Sequence, residues 1–266
     1  MTIVIPTKNS SGHIDLILEF YRQVGAQPVI FVDEASADDT YDVCRRSGFR
    51  TELVANPLGR VEGIIEAISW RCDTDWILRF DDDEVPSVDL LLRARALTLG
   101  PPERAHAFRL RHCVLNDQQR LSALRAHENP PHDQWRLYNR RHVSFTTDIH
   151  SPGIAVRDGA VCPADSYFLH LQWIVRSIAE RQAKIAEYDR QVPNAGSAWR
   201  QYYLIEEDQV AMRSACEIER AEFAPLAEKL FRRFPLAPRA PSVAGGKDAS
   251  SRERQTILAT RSALSW

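Results

Sequence analysis

Four acids in a row, Asp81-Asp82-Asp83-Glu84, follow directly on Asp75-Trp76-Ile77-Leu78-Arg79-Phe80, which reads as a short buried strand. Four carboxylates at one strand end repel one another unless a cation sits among them. Alternate residues of an extended chain point the same way, so Asp81 and Asp83 can address one ion. Oxygen ligands suit a hard divalent ion, Mg²⁺ or Mn²⁺, which commonly also holds substrate phosphates. The bland reading of such a run is a solvated turn. Its place after an apolar strand favours a site, because open α/β sheets bind ligands at the carboxyl ends of their strands.

The flanking sequence supplies a sheet to carry these acids. Thr2-Ile3-Val4-Ile5 is an apolar run stopped by Pro6, and Ile14 to Val24 has helical apolar spacing ended by Gly25. Pro28 to Val32 is a second strand closing on Asp33-Glu34, after which Ser36 or Asp38 can cap a helix running to about Gly48. Thr51 to Val54 reads as a third strand and Val61 to Trp70 as a third helix. Strands alternating with helices over short connections predict an α/β fold with a Rossmann-like, mostly parallel central sheet and flanking helices.

Gly100-Pro101-Pro102 interrupts the alternation. Further strands are expected near Ala107 to Leu115, Gln134 to Tyr138 and Val143 to Thr147, with a proline-broken loop at His127 to Asp133. Leu171, Ile174, Ile178, Ile185 and Tyr188 share one helical face, which predicts an amphipathic helix over 171–190. A second helical stretch is expected from about Trp199 to Phe234. The Pro-, Ala-, Gly- and Ser-rich segment after it has the composition of a flexible tail.

Composition narrows the function. The 266 residues are enough for one large α/β domain with an appendage, and 44% apolar content supports a real core. A net charge of -2 gives no electrostatic case for nucleic-acid binding. The 5 cysteines are odd in number, dispersed and without a CxxC pair, so neither a zinc site nor a disulfide framework is suggested. A reduced, cytoplasmic setting is the expectation. No signal-like segment precedes the first strand, and no apolar run approaches the roughly 18 residues that span a bilayer. Phe231-Arg232-Arg233-Phe234 fits peripheral membrane contact or a packed helix end equally well. No P-loop pattern is present, which argues against a kinase or ATPase.

The strand ends carry matching chemistry: Pro6-Thr7-Lys8-Asn9 after the first, Asp33-Glu34-Ala35-Ser36-Ala37-Asp38-Asp39-Thr40 after the second, Asn56-Pro57-Leu58-Gly59-Arg60 after the third, and the acids after the fourth. A parallel sheet gathers such turns along one edge, where amides and polar side chains can hold a base, a ribose and a pyrophosphate. In these marks the sequence resembles glycosyltransferase family 2, which has the GT-A fold. It looks most similar to the branch that includes bacterial lipopolysaccharide-core glycosyltransferases. The downstream carriers of that likeness are Trp135-Arg136-Leu137-Tyr138-Asn139-Arg140, Asp148-Ile149-His150, Tyr167-Phe168-Leu169-His170, and Glu180, Lys184 and Tyr188.

The resemblance covers residues 1–190 and implies a catalytic domain there, with a nucleotide-sugar half over 1–100 and an acceptor half over 101–190. A helical extension over 191–234 and the tail over 235–266 would follow. It further implies that Pro6, Thr7, Asn9 and Asp33 line the base and ribose pocket, and that Arg60 meets the diphosphate. Asp81 and Asp82 would face the donor, while Asp81 and Asp83 hold Mn²⁺ or Mg²⁺ with His170 as a further ligand. A carboxylate suits the Asp33 role because it accepts a hydrogen bond from an imide N–H or a hydroxyl; its alternative is turn chemistry.

The implied reaction moves a sugar from a nucleoside-diphosphate sugar to a hydroxyl of a carbohydrate or glycolipid acceptor, with inversion and as part of bacterial surface-glycan synthesis. That requires a base for the acceptor proton. The family branch shows a Glu after its His where this chain has Ser151. Asp148 is the substitute candidate and His150 the next. Two rivals stand beside this reading: a catalytically silent GT-A-like nucleotide-binding protein, and a sugar nucleotidyltransferase, for which the first loop lacks the expected glycine and basic density.

Overall fold

The computed structural model describes residues 1–100, 105–116, 118, 120–124, 132–205 and 215–234. Its first half follows the predicted alternation: β1 (Thr2–Thr7), α1 (Ile14–Gln23), β2 (Val29–Asp33), α2 (Thr40–Arg46), β3 (Thr51–Val54), α3 (Ile65–Trp70) and β4 (Trp76–Arg79). These four strands are mutually parallel in the order β3-β2-β1-β4. Both faces of the sheet are buried, and the period of two decides which residue goes where. Ile3, Ile5, Ile30 and Val32 enter the core beneath α1, whereas Val4, Val29 and Phe31 enter a second core beneath α3.

The second half extends the same sheet. β5 (Glu84–Pro86) leads into α4 (Val88–Leu97), whose start is capped by Ser87 Oγ accepting the Leu90 N–H at 3.2 Å. Then come β6 (Ala105–Leu115), β7 (Leu121–Leu124) and β8 (Asp133–Asn139), with β8 antiparallel between β4 and β6. β9 (Ser144–Phe145) and β10 (Ile154–Ala155) form a small separate ladder. β11 (Gly159–Val161) and β12 (Tyr167–His170) both run parallel to β6, and β12 also pairs antiparallel with β5. That last pairing lays His170 opposite Glu84, bringing a distant segment onto the acidic turn.

Three expectations are corrected. The helix over 171–190 is two helices, α5 (Gln172–Val175) and α6 (Ile178–Gln191), separated by extended Arg176. Ser177 restarts the helix with a capping box: its hydroxyl accepts the Glu180 N–H, and the Glu180 carboxylate accepts the Ser177 N–H at 2.7 Å. The shared apolar face is therefore broken, and Ile178 is 49% exposed. The stretch from Trp199 to Phe234 holds α7 (Arg200–Tyr203), a strand β13 (Ala215–Glu217) paired with β7, and α8 (Ala224–Arg233). The strand expected over Val143 to Thr147 is the two-residue β9. The tail, and residues 127–131 of the proline-broken loop, lie outside the described residues.

Candidate active site

Along the carboxyl edge of β1 and β2 the two following loops are stitched together. Asn9, at φ +51, accepts the Ala37 N–H on Oδ1 at 2.7 Å. Ser10 N–H donates to Thr40 Oγ1 at 2.7 Å, and Ser11 N–H to Asp38 Oδ2 at 3.0 Å. Asp33, at the end of β2, is only 2% exposed. Its Oδ1 accepts the Ala35 N–H at 2.8 Å, while Oδ2 takes Asn56 Nδ2 at 2.8 Å and lies 3.2 Å from Lys8 Nζ. Pro6 is buried in β1 opposite Phe31, so it shapes this corner as backbone and not as a polar contact. Asn56, two residues past the end of β3, joins this corner, and its place in the polar turn after the third strand is the signal the sequence carries.

The acidic run forms a turn, closed by Glu84 N–H to Asp81 O at 3.1 Å, and not an extended chain. Its carboxylates consequently diverge. Asp81 faces Arg136 Nη2 at 3.4 Å and Arg79 Nη1 at 3.8 Å. Asp82 is buried and engaged by Thr7 Oγ1 at 2.8 Å, by Ser10 Oγ and by Arg176 Nη2 at 2.9 Å. Expected to face a donor, Asp82 instead ties β1 to the segment after α5. Thr7, expected in the base pocket, is its partner. Asp83 faces His170 Nε2 at 3.4 Å and Arg176 Nε at 3.6 Å. Glu84, 1% exposed, accepts Arg136 Nη2 at 2.5 Å and the Asp81 N–H at 2.9 Å.

The mutual repulsion of four acids is thus answered largely by the protein's own cations. Burial alone would raise the Asp83 carboxyl, but His170, Arg176 and Lys184 hold it well below its usual range. Burial likewise works against an ionised Asp81, and Arg79, Arg136 and Lys184 outweigh it. For Glu84 burial prevails and the pKa is raised despite Arg136. Burial would depress His170, yet Asp83 and Glu84 raise it. Lys184 Nζ sits 6.0 Å from the Tyr188 ring centroid and 5.7 Å from that of Tyr203. Arg79, Arg136, Arg176 and Lys184 carry no site role in the sequence reading, because a cation's own neighbourhood does not show which acid it will meet in the fold.

Whether a divalent ion fits can be judged from the donors. Among the described residues no three His, Cys, Asp or Glu side chains converge into a complete metal cage. The trio Asp81, Asp83 and His170 is therefore reduced to the adjacent pair Asp83 and His170, with Asp81 turned onto its arginines. Asp81 Oδ1 is nonetheless buried without a hydrogen-bond partner among the described residues. The Asp83 carboxylate is the donor type that Mn²⁺ and Mg²⁺ favour; Mg²⁺ is commonly held by one or two carboxylates with water and phosphate oxygens filling the rest, and the His170 imidazole beside it is the softer second donor.

The remaining candidates gather around a second feature. Arg60 donates to Thr147 O at 2.9 Å and to Gln191 Oε1 at 2.8 Å. With Thr147, Asp148, His150 and Trp199 it lines an open cavity of about 400 Å³. Asp148 is exposed there and accepts the Thr146 hydroxyl at 2.7 Å. It does not share an extended segment with His150, because the chain turns and His150 adopts φ +64. The imidazole of His150 packs against Tyr188 and Trp199, and its Nε2 lies 2.9 Å from Ala195 O. This partial burial lowers its pKa, although the residue as a whole is exposed. Beneath it Glu62, 5% exposed, accepts the His150 N–H at 3.0 Å, and burial raises its pKa. A larger groove of about 640 Å³ beside α1 and α2, lined by Asp15, Arg22, Arg46 and Arg233, holds none of these groups.

The parallel-sheet edge thus carries Asp33 and Asn56 beside an acidic turn joined to a histidine. The glycosyl transferase family 2 model matches residues 2–146, and the chain belongs to that family. Membership places it among the glycosyltransferases. No curated protein sequence matches the chain. Similar solved structures include Staphylococcus aureus TarS 1–349, at 10% identity over 88% of this chain and 80% of that one, with a TM-score of 0.46. A second is glucosyl-3-phosphoglycerate synthase from Mycobacterium tuberculosis, solved with Mn²⁺, uridine diphosphate and glucosyl-3-phosphoglycerate. It matches at 15% identity over 71% of this chain and 78% of that one, TM-score 0.46. TarS 1–349 with UDP-GlcNAc matches at 10% identity over 88% and 81% of the two chains, TM-score 0.44. No helix among the described residues is long and apolar enough to cross a membrane.

Proposed function

We propose that the protein transfers a sugar, with inversion, from a nucleoside-diphosphate sugar to an acceptor hydroxyl. The observation that carries this is the pairing of Asp83 with His170, at 3.4 Å, on the same sheet edge that presents Asp33. Asp33, pre-set by Ala35, Asn56 and Lys8, would accept hydrogen bonds from base or ribose. Asp83 and His170 would hold the divalent ion, which neutralises charge growing on the departing diphosphate. Lys184, whose charge reaches Asp81 and Asp83, would add to the same positive field.

The acceptor would enter the cavity between Arg60 and Trp199. Asp148 stands at its mouth, and we assign it the base that removes the acceptor proton. His150 is the weaker candidate because Nε2 is engaged by Ala195 O, leaving only Nδ1. Ser151 is not a substitute for the missing Glu: a neutral hydroxyl is a poor base, and this one already accepts the Gly153 N–H at 3.1 Å. The likeness of Asp148-Ile149-His150 and Lys184 to Tyr188 to the lipopolysaccharide-core branch supports a carbohydrate or glycolipid acceptor in bacterial surface-glycan synthesis, on the cytoplasmic side.

A panel of labelled nucleotide sugars with Mn²⁺ tests this reading. Metal-dependent transfer or hydrolysis is expected. Tight nucleotide binding without any turnover would favour the silent binding protein that Ser151 suggests. A thermal-shift screen with UDP, GDP, CMP and TDP would choose the base, since a ligand at about fifty times its Kd stabilises by roughly 2 kcal/mol.

A further inference from the structure

His170 does not stand alone behind Asp83. Its Nδ1 lies 3.0 Å from Nδ1 of His112, and His112 Nε2 lies 3.3 Å from Nδ1 of His132. His132 Nε2 in turn lies 2.6 Å from the Gln134 amide. Three imidazoles and an amide therefore form one continuous row of hydrogen bonds ending on the acidic turn. The row crosses neighbouring strands. His170 on β12 is the direct register partner of His112 on β6, while His132 O accepts the Leu110 N–H of β6 at 2.8 Å. His112 is 3% exposed, and its ring lies against Trp173 at 4.9 Å, so its orientation is held by packing.

We propose that His112, backed by His132 and Gln134, is a positioning relay that aims His170 Nε2 at the Asp83 cation site and so sets the affinity for the divalent ion. The inference rests on the proposed metal role of Asp83 and His170.

The argument is hydrogen-bond polarity. A ligating imidazole offers a lone pair from one nitrogen and donates N–H from the other, usually to an oriented partner. With Nδ1 engaged by His112, only Nε2 of His170 is left to face the ion, and it already faces Asp83. For that state His170 Nδ1–H must donate to His112 Nδ1. His112 Nε2–H must then donate to His132 Nδ1, and His132 Nε2–H needs an acceptor. Gln134 can supply one, because its amide presents either NH₂ or oxygen on turning over. With the nitrogen placed toward His132, all bonds run toward Asp83 and His170 Nε2 carries a proton. With the oxygen placed there, all bonds run toward Gln134 and Nε2 offers its lone pair. The orientation of the amide at the far end is thus coupled through the row to the state of the metal-facing nitrogen.

The test is calorimetric titration of Mn²⁺, with UDP present, into wild type and His112→Phe, which keeps a ring against Trp173 but removes both nitrogens. We expect Mn²⁺ affinity to fall by about 10- to 100-fold. His112→Asn, which returns an acceptor near the Nδ1 position, should recover part of the loss. Imidazole ¹⁵N shifts of His170 should report a different proton distribution between Nδ1 and Nε2 in His112→Phe even without metal. If that variant does not fold, His132→Phe, one ring further from the site, should give a smaller loss in the same direction. Wild-type affinity in His112→Phe would overturn the relay while leaving the metal site standing. Failure of wild type itself to bind Mn²⁺ would overturn the metal site and the relay with it.

Discussion

The acidic turn and the Asp148 cavity both sit in the candidate active site, yet they are built in opposite ways. Every carboxylate of the turn meets a cation drawn from another segment: Arg136 for Asp81 and Glu84, Arg176 for Asp82, His170 for Asp83. Asp148, by contrast, is exposed, and among the described residues its side chain hydrogen-bonds the near neighbour Thr146. The turn is a preorganised electrostatic device whose parts cannot relax cheaply. The cavity is an open surface whose chemistry depends on what enters it. Donor recognition should therefore be sensitive in both activity and stability, and acceptor activation in activity alone.

Substitutions on the two sides can break that contrast. Asp148→Asn should lower transfer by about 10²- to 10⁴-fold while leaving nucleotide affinity and melting temperature at wild-type values. Steady-state turnover alongside UDP calorimetry checks it, and unchanged turnover would remove Asp148 from the mechanism. Asp83→Asn should cost on the order of 10²- to 10³-fold in transfer and weaken Mn²⁺ binding as well. Retained metal affinity there would move the cation site elsewhere. Arg136→Met leaves Glu84 buried and uncompensated, so denaturant unfolding should show a loss of about 3–5 kcal/mol. A loss no larger than that of an exposed ion pair would mean the turn is less tightly organised than its geometry indicates.

The smallest effect is a pH signature of the Asp83–His170 pair. Asp83 is held below its ordinary 3.8, so its stabilising contribution is full above 3.8 and lost as pH falls through the lower folded value. His170 is raised above 6.5, so its contribution is full below 6.5 and lost as pH rises through the higher folded value. In the metal-free protein this pair's own contribution should be level between those limits. Mn²⁺ competes with the His170 proton, so its affinity should climb with pH across the upper limb. Asp83→Asn should flatten both limbs, which urea midpoints across pH would reveal.

Much of this protein was legible before any coordinates. Apolar runs at β1 to β4, the first three each followed by a helix, were enough for a mostly parallel sheet, because local periodicity reports which faces are buried. The polar strand ends, with Asp33 and the acids, were legible for the same reason: they interrupt that periodicity where a sheet edge must lie. The break at Ser177 was also written locally, as Ser177 and Glu180 in capping-box spacing, but the apolar positions on either side concealed it. Strand β13 was hidden because three residues carry too little pattern to compete with a helical neighbourhood.

What the chain could not disclose by itself is the partner of each charge. Asp81 and Asp83 looked equivalent by alternation, and only the turn at Asp81–Glu84 sends one to the arginines and the other to His170. Arg176 reaches Asp82, and His112 reaches His170, because β12 lies beside β6 and β5. Such pairings depend on strand order and register, which are long-range properties. A sequence specifies which groups must be buried or charged over a few neighbouring residues, whereas the packing of distant strands decides which of those groups meet.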